Sequence, residues 1–473
     1  MSVIHEALSI ESASEDFGHV MRSAPLRVVA PASVDEVVSV VADAAAHGAR
    51  LTVRGLGHSC GGQGLADRSA VLDTSRLSRV GDVDMTRRTI RCQGGARLRE
   101  VVAETLRHGL LPQTLTNLLD LTVGGVLSVG GVGPGSHRYG PLVSGVTGLD
   151  VVTGTGELRS CSPTSDRELY DAVLGGLGRC GVIVAAELEL RPVRPHVRTY
   201  YLLYDDRRQW LADQALLAGD ARVSAMEGFC SPSMQGLRGT GGKRASFADW
   251  FYPLQLSLEF DDTPPDLPDG LSPYRIVHVE DDDMRYFPTR HEARFEAVRR
   301  IGAWERAHPY ISAFITAEAL AEVLPDVLQT LPLGEGHRGT FFVRPDDLPP
   351  FLVVPDAAQV VFFSVIYPQI LPAFVADTLR AFAAASELLT DESLWRWLMR
   401  SMSMVGLPLT GTSLCDSNPL AGASCKCLQG NNRQAFQLGQ GTLVPFGLIT
   451  SPEWASTYVC GINLYVRPYC RRS

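Results

Sequence analysis

The residues best placed to do chemistry lie in three glycine-rich loops. The first is Arg54-Gly-Leu-Gly-His-Ser59-Cys-Gly-Gly-Gln-Gly64, which embeds a histidine in permissive backbone. The second, Leu121 to Gly135, contains Gly124, Gly125, Gly130, Gly131, Gly133 and Gly135. The third is Leu174-Gly-Gly-Leu-Gly178, with Gly181 close behind. Glycine loops at strand ends and helix starts present backbone N–H groups to an anion, so three in succession fit a phosphate-bearing cofactor. None is the dinucleotide fingerprint, because Gly55-Leu-Gly57 runs into His58 and Ser59 and no GxGxxG opens a helix with an acidic residue following at the proper interval.

The elements that position these loops are legible. Ser33 and Glu36 form a capping box, Val37, Val38, Val41, Ala42 and Ala45 share one helical face, and Gly48 supplies the stop. Leu51-Thr-Val53 is a short buried strand that enters the first loop. Strands follow near 70–73 and 89–93, then a helix over 96–107 with Leu98, Val101, Val102 and Leu106 inward. Further strands are expected at 149–152 and 182–190, with a helix near 166–173 between them. Beyond Pro192 and Pro195 the texture changes. Strand-like runs at 199–203, 275–279, 340–343 and 360–366 alternate with helices such as 316–324, which Pro325 should end or kink. That pattern suits an antiparallel sheet with helices on one face.

At 473 residues, 45% hydrophobic and 20% charged, the chain is too long for one ordinary core and too apolar for disorder, which implies two domains. Its net charge of −9 gives no field to hold a nucleic acid or an anionic membrane surface. No apolar run approaches the ~20 residues that span a bilayer, and no leader pattern opens the chain, so a cytoplasmic location is expected. The cysteines lack paired metal-ligand spacing, so no metal is expected. Five of the ten, Cys415, Cys425, Cys427, Cys460 and Cys470, crowd the C-terminal tail.

Four motifs in order carry a family resemblance: Arg54-Gly-Leu-Gly-His-Ser59 with Gly61-Gly-Gln63; Leu121-Thr-Val-Gly-Gly125; Arg138-Tyr-Gly-Pro141 with Leu149-Asp-Val-Val-Thr-Gly-Thr-Gly-Glu157; and Ala172-Val-Leu-Gly-Gly-Leu-Gly-Arg-Cys-Gly-Val-Ile183. Together they resemble the covalent flavoproteins of the vanillyl-alcohol oxidase and p-cresol methylhydroxylase type, most closely the cytokinin dehydrogenases. The resemblance implies an α+β fold with an FAD-binding domain over residues 1–195. It also implies a substrate-binding cap domain of antiparallel sheet plus helices over 196–390. Residues 391–473 match none of the family's closing signatures and form an atypical segment.

In that family the histidine of the first loop is bonded to the 8α-methyl of FAD, which implies His58 as the anchor. Asp120 stands where doubly linked relatives carry a cysteine, so a single 8α-histidyl bond is implied. The matching motifs place Arg54, Gly55, Gly57, Ser59, Gln63, Thr122, Gly124, Gly125, Ser128, Gly131, Gly133, Gly181 and Ile183 at the cofactor. Cytokinin dehydrogenases carry a catalytic aspartate just ahead of T-V-G-G; here that place holds Asn117, whose amide orients but accepts no proton at neutral pH. Glu227, in Met226-Glu-Gly228, resembles the family's pocket glutamate and is the candidate proton acceptor, with Asp120 as a displaced alternative. Trp304, His308 and Tyr310 resemble a loop bordering the substrate.

The implied activity is FAD-dependent oxidation of a C–N or C–O bond in a small organic molecule, with O₂ or another electron acceptor. Two alternatives stay open on the same fold. One is a catalytically silent or non-redox flavin protein, serving cyclisation or ligand binding; the other is a carbohydrate or alditol oxidase.

Overall fold

Local capping sets the helix after Ser33 as expected. Ser33 Oγ accepts from the Glu36 N–H at 3.2 Å, Glu36 Oε2 accepts from the Ala32 N–H at 2.8 Å, and the helix spans Val34–Ala46. The strand Leu51–Arg54 then pairs in parallel with Ala70–Asp73, which pairs on its other edge with Arg27–Val29. The computed structural model describes residues 8–367 apart from 241, 332–335, 347 and 353, together with 380, 381, 384, 385, 462 and 463. The tail motifs and the five C-terminal cysteines therefore lie outside the described residues.

A second sheet is antiparallel, in the order Val80–Asp84, Thr89–Gln93, Val182–Pro192, Val146–Val152, Leu158–Cys161, with Leu110–Pro112 on the far end of Val182–Pro192. The helices Leu98–Leu106 and Val123–Val129 pack against it. Their buried residues Leu98, Val101, Val123, Val126 and Leu127 join one apolar cluster with Ile90, Leu149, Ile183 and Leu188.

The third sheet is the largest. Its main path runs Arg275–Asp283, His196–Tyr204, Ala245–Phe260, Val223–Phe229, His337–Val343, Val360–Ile366, Tyr310–Thr316, and the pairs along this run are antiparallel. Near-continuous apolar runs such as Val360-Val-Phe-Phe read as strands buried on both faces, and the side chains sort that way. Ile311, Ala313, Ile315, Val361, Phe363 and Val365 face one cluster with the helices Arg207–Ala218 and Ala317–Thr330. Phe314, Phe341, Val343, Val360 and Phe362 face the other way, into the cluster that holds Ile90, Val126 and Leu188. The core thus continues across residue 195.

The helix does not end at Pro325 but continues to Thr330. Proline removes the N–H that would bond the carbonyl four residues back, here that of Ala321. Arg207 Nε donates to the Ala321 oxygen at 2.6 Å instead, so a side chain from the neighbouring helix satisfies the stranded acceptor.

Candidate active site

The glycines of the first loop are dictated by close approach. A Cβ on Gly55 would collide with Thr122 Oγ1, and one on Gly57, whose φ is +71°, with the Arg54 guanidinium. The loop therefore lies directly against the start of the helix Val123–Val129, whose cap is Thr122 Oγ1 accepting from the Gly125 N–H at 3.3 Å. Gly124 sits over Ile183, since its Cβ would lie 3.2 Å from the Ile183 oxygen. Gly133 crosses the backbone of Leu115, two residues from Asn117. Three sequence-distant loops are brought to one place.

Polar atoms in this place lack partners. Both ring nitrogens of His58, the Ser59 hydroxyl, and Nε and Nη1 of the buried Arg54 are shielded from solvent without a hydrogen bond. Orphaned donors of this kind are uncommon in folded proteins and point to a missing polar ligand. They fit a cofactor with a diphosphate and a ring edge. Ser128 and Gln63 are used internally: Ser128 Oγ donates to the Gly124 oxygen at 2.7 Å, and Gln63 Oε1 accepts from the Gly61 N–H at 3.1 Å. Gly131 adopts φ +76°, and Gly181 abuts Val151.

His58 stacks on Phe17 with ring centroids 4.6 Å apart, and Trp304 meets it edge-on at 5.7 Å. Burial pushes its pKa down to about 4, so the imidazole is neutral at pH 7 with a free lone pair. His308, 1% exposed, stacks on the other side of Phe17 at 4.3 Å. Tyr310 opens the strand Tyr310–Thr316, and burial raises its phenol pKa. Arg299 places its guanidinium 4.4 Å over the Trp304 ring.

A second cluster contains the expected catalytic groups. Asn117 Nδ2 donates to Glu227 Oε1 at 2.7 Å across a separation of 110 residues. Glu227 is 2% exposed on the strand Val223–Phe229, with His291 Nε2 3.5 Å from Oε2 and His337 Nε2 3.9 Å from Oε1. Burial works to raise the Glu227 pKa, but His291, His337 and Arg290 together outweigh it and hold the carboxyl below its usual range. The carboxylate is ionised and can accept a proton. Burial depresses His337 to about 4 against the opposing pull of Glu227. The Asn117 Oδ1 is buried and without a partner.

Asp120 stands apart from this pair. Its carboxylate is bound by Arg99 Nε at 2.6 Å and Arg97 Nη1 at 3.4 Å, and Arg99 reaches on to Glu292 at 2.9 Å. Sequence reasoning missed His291, His337, Arg290 and the segment around Phe17. The histidines carry no local pattern, one being the residue before a helix and the other the first of a strand. Asp16-Phe17-Gly18 offered one signal, a glycine beside an acid and an aromatic. The described cysteines are free, and among the described residues no cluster of three or more His, Cys, Asp or Glu could hold a metal. No helix among them is long and apolar enough to cross a membrane.

These loops and orphaned polar atoms fit an FAD site, and comparison with known proteins shows the class, an FAD-dependent oxidoreductase. The family described as FAD binding domain matches residues 25–162. An uncharacterized oxidoreductase, ORF5 of the fasciation locus in Rhodococcoides fascians, is 35% identical over 344 residues, covering 71% of this chain and 75% of its own. Cytokinin dehydrogenase 7 of Oryza sativa subsp. japonica is 31% identical over 373 residues, covering 71% of each chain. Cytokinin dehydrogenase 8 of Oryza sativa subsp. indica is 32% identical over 371 residues, covering 71% and 70%. The chain belongs to the cytokinin dehydrogenase-like FAD oxidoreductases.

Proposed function

We propose that this enzyme holds FAD through a single 8α bond to His58 and oxidises a C–N or C–O bond of a small organic substrate, with Glu227 as proton acceptor. Residues 1–195 form the flavin domain of the vanillyl-alcohol oxidase type and residues 196–390 the substrate cap. When bound, FAD supplies a hydride acceptor at N5, and O₂ or another acceptor reoxidises it. Arg54, the 55–59 backbone and Thr122 through Gly125 cradle the cofactor. The observation that carries the catalytic part is the 2.7 Å bond from Asn117 to a buried, ionised Glu227.

Glu227 takes the proton from the substrate N–H or O–H as hydride leaves the adjacent carbon, which keeps charge from building on the heteroatom. Asn117 fixes Oε1 through its N–H, leaving Oε2 for the substrate, and its own Oδ1 accepts from a second substrate donor. Trp304, edge-on to His58 at 5.7 Å, would give the substrate a flat apolar wall. A proton passed to Glu227 has a route onward through His291, 3.5 Å away.

Anaerobic mixing with a panel of amines and alcohols tests this. At least one should bleach the flavin absorbance, and Glu227→Gln should slow bleaching on the order of 10²- to 10⁴-fold. Bleaching that Glu227→Gln leaves untouched removes Glu227 as the base. A flavin that no substrate bleaches favours the non-redox alternative.

A further inference from the structure

We infer that the N-terminal segment Asp16-Phe17-Gly18 is a clamp that positions His58 for covalent attachment of the flavin; this rests on the proposed role of His58. The clamp grips the loop by backbone and side chain alike. Phe17 N–H donates to the Gly57 oxygen at 3.0 Å and Gly18 N–H to the Ser59 oxygen at 3.3 Å, bracketing His58 on both sides. Asp16 Oδ2 accepts from the Gly62 N–H at 2.6 Å, and Oδ1 accepts from the Gly18 N–H at 3.1 Å. Burial raises the Asp16 pKa, so its carboxylate is held there at a cost that these amides and the nearby Arg54 and His19 partly offset.

Fit at Gly18 is equally specific. A Cβ there would lie 2.9 Å from Cys60 Cα and 2.9 Å from its oxygen, so the segment can lie this close to the loop only with glycine. Phe17 fills the space between two imidazoles, 4.6 Å from His58 and 4.3 Å from His308, nearly parallel to both. His308 N–H donates to the Gly18 oxygen at 2.8 Å, which ties the clamp to the substrate-side loop. The His58 ring has no hydrogen bond of its own to set its angle. The stack with Phe17, with Trp304 edge-on, orients it.

Attachment replaces the imidazole N–H and one C–H of the 8α-methyl by a C–N bond. Both hydrogens reduce the flavin ring, and O₂ then removes the two electrons as hydrogen peroxide. The nitrogen must meet one carbon, so the rate depends on ring angle, and a displacement near 1 Å costs on the order of 10²-fold.

The test uses full-length chain made under riboflavin limitation, then given FAD, with acid-stable flavin followed over time. Phe17→Leu, which keeps bulk without a ring, and Gly18→Ala should bind FAD yet attach it on the order of 10- to 100-fold more slowly. Phe17→Tyr should restore the rate. The inference is overturned if Phe17→Leu and Gly18→Ala attach at the wild-type rate, or if any slowing only mirrors lost FAD binding and lost thermal stability. A wild type whose flavin is released by acid overturns the His58 assignment itself, and the clamp's role with it; the His58→Ala control marks full release.

Discussion

Glu227 and Asn117 form the contact on which the chemistry turns, and its protonation is set by what Asn117 lacks. Because Asn117 is neutral, the only carboxylate in the contact is Glu227, held ionised below its usual range by His291, His337 and Arg290. Activity should fall only as pH drops through that depressed value. Asn117→Asp places a second carboxyl within hydrogen-bond reach of the first, and two such groups cannot both ionise readily. The acid limb of the kcat/KM profile should then move up by roughly 1–3 pH units. Above that limb the extra base should raise turnover of amines. An unchanged limb would show that the two side chains are not adjacent in the working enzyme. The glycine loops and His58 were legible because tight backbone approach leaves a mark in local sequence. Glu227 was legible only through family position, and its histidines not at all, since His337 meets it across paired strands and His291 from the start of a helix, neither through sequence spacing.

Pro325 shows where reading a single element fails. Its sequence rule is sound, yet the helix continues because a guanidinium from another element bonds the carbonyl that proline abandons. Arg207→Ala should leave the Ala321 oxygen without that bond and destabilise by about 1–3 kcal/mol. Pro325→Ala restores a backbone N–H for the same acceptor, so in that background the cost of Arg207→Ala should shrink. A double-mutant cycle from thermal or denaturant unfolding measures the coupling, and strictly additive effects would mean the Arg207 bond does not compensate for the proline. Capping at Ser33, the strands at 70–73 and 89–93, and the stop at Gly48 followed from residues within a few positions of each other. Strand ends were underestimated, as with Val146–Val152 and His337–Val343, because the extra residues are held by partners far away in sequence.

Across the molecule, length predicts two domains, and one face of the large sheet packs into a cluster that also holds residues from the first 195. Length predicts how much core a chain can build but not how its layers interlock. That burial has a consequence for acid stability. His58, His137, His308 and His337 are each pushed down to about 4 by burial. His137 faces the carbonyl oxygens of Pro134 and Val223 at 3.0 and 3.3 Å, which favours its proton, but burial outweighs them. In the unfolded chain these rings titrate near 6.5, so between about pH 6.5 and 4 the unfolded state binds more protons than the folded one. Stability must therefore be fully present above pH 6.5 and be lost as pH falls toward 4. Asp16, raised by burial, opposes this loss, while Glu187 and Glu227, both lowered, add to it once the usual carboxylate range is reached. The melting temperature should decline steadily from pH 7 to pH 5, before carboxylates titrate, with unfolding at pH 5 taking up protons measurable by calorimetry in buffers of different ionisation enthalpy. A melting temperature flat over that interval, with no proton uptake, would mean that these histidines titrate alike in the folded and unfolded chain.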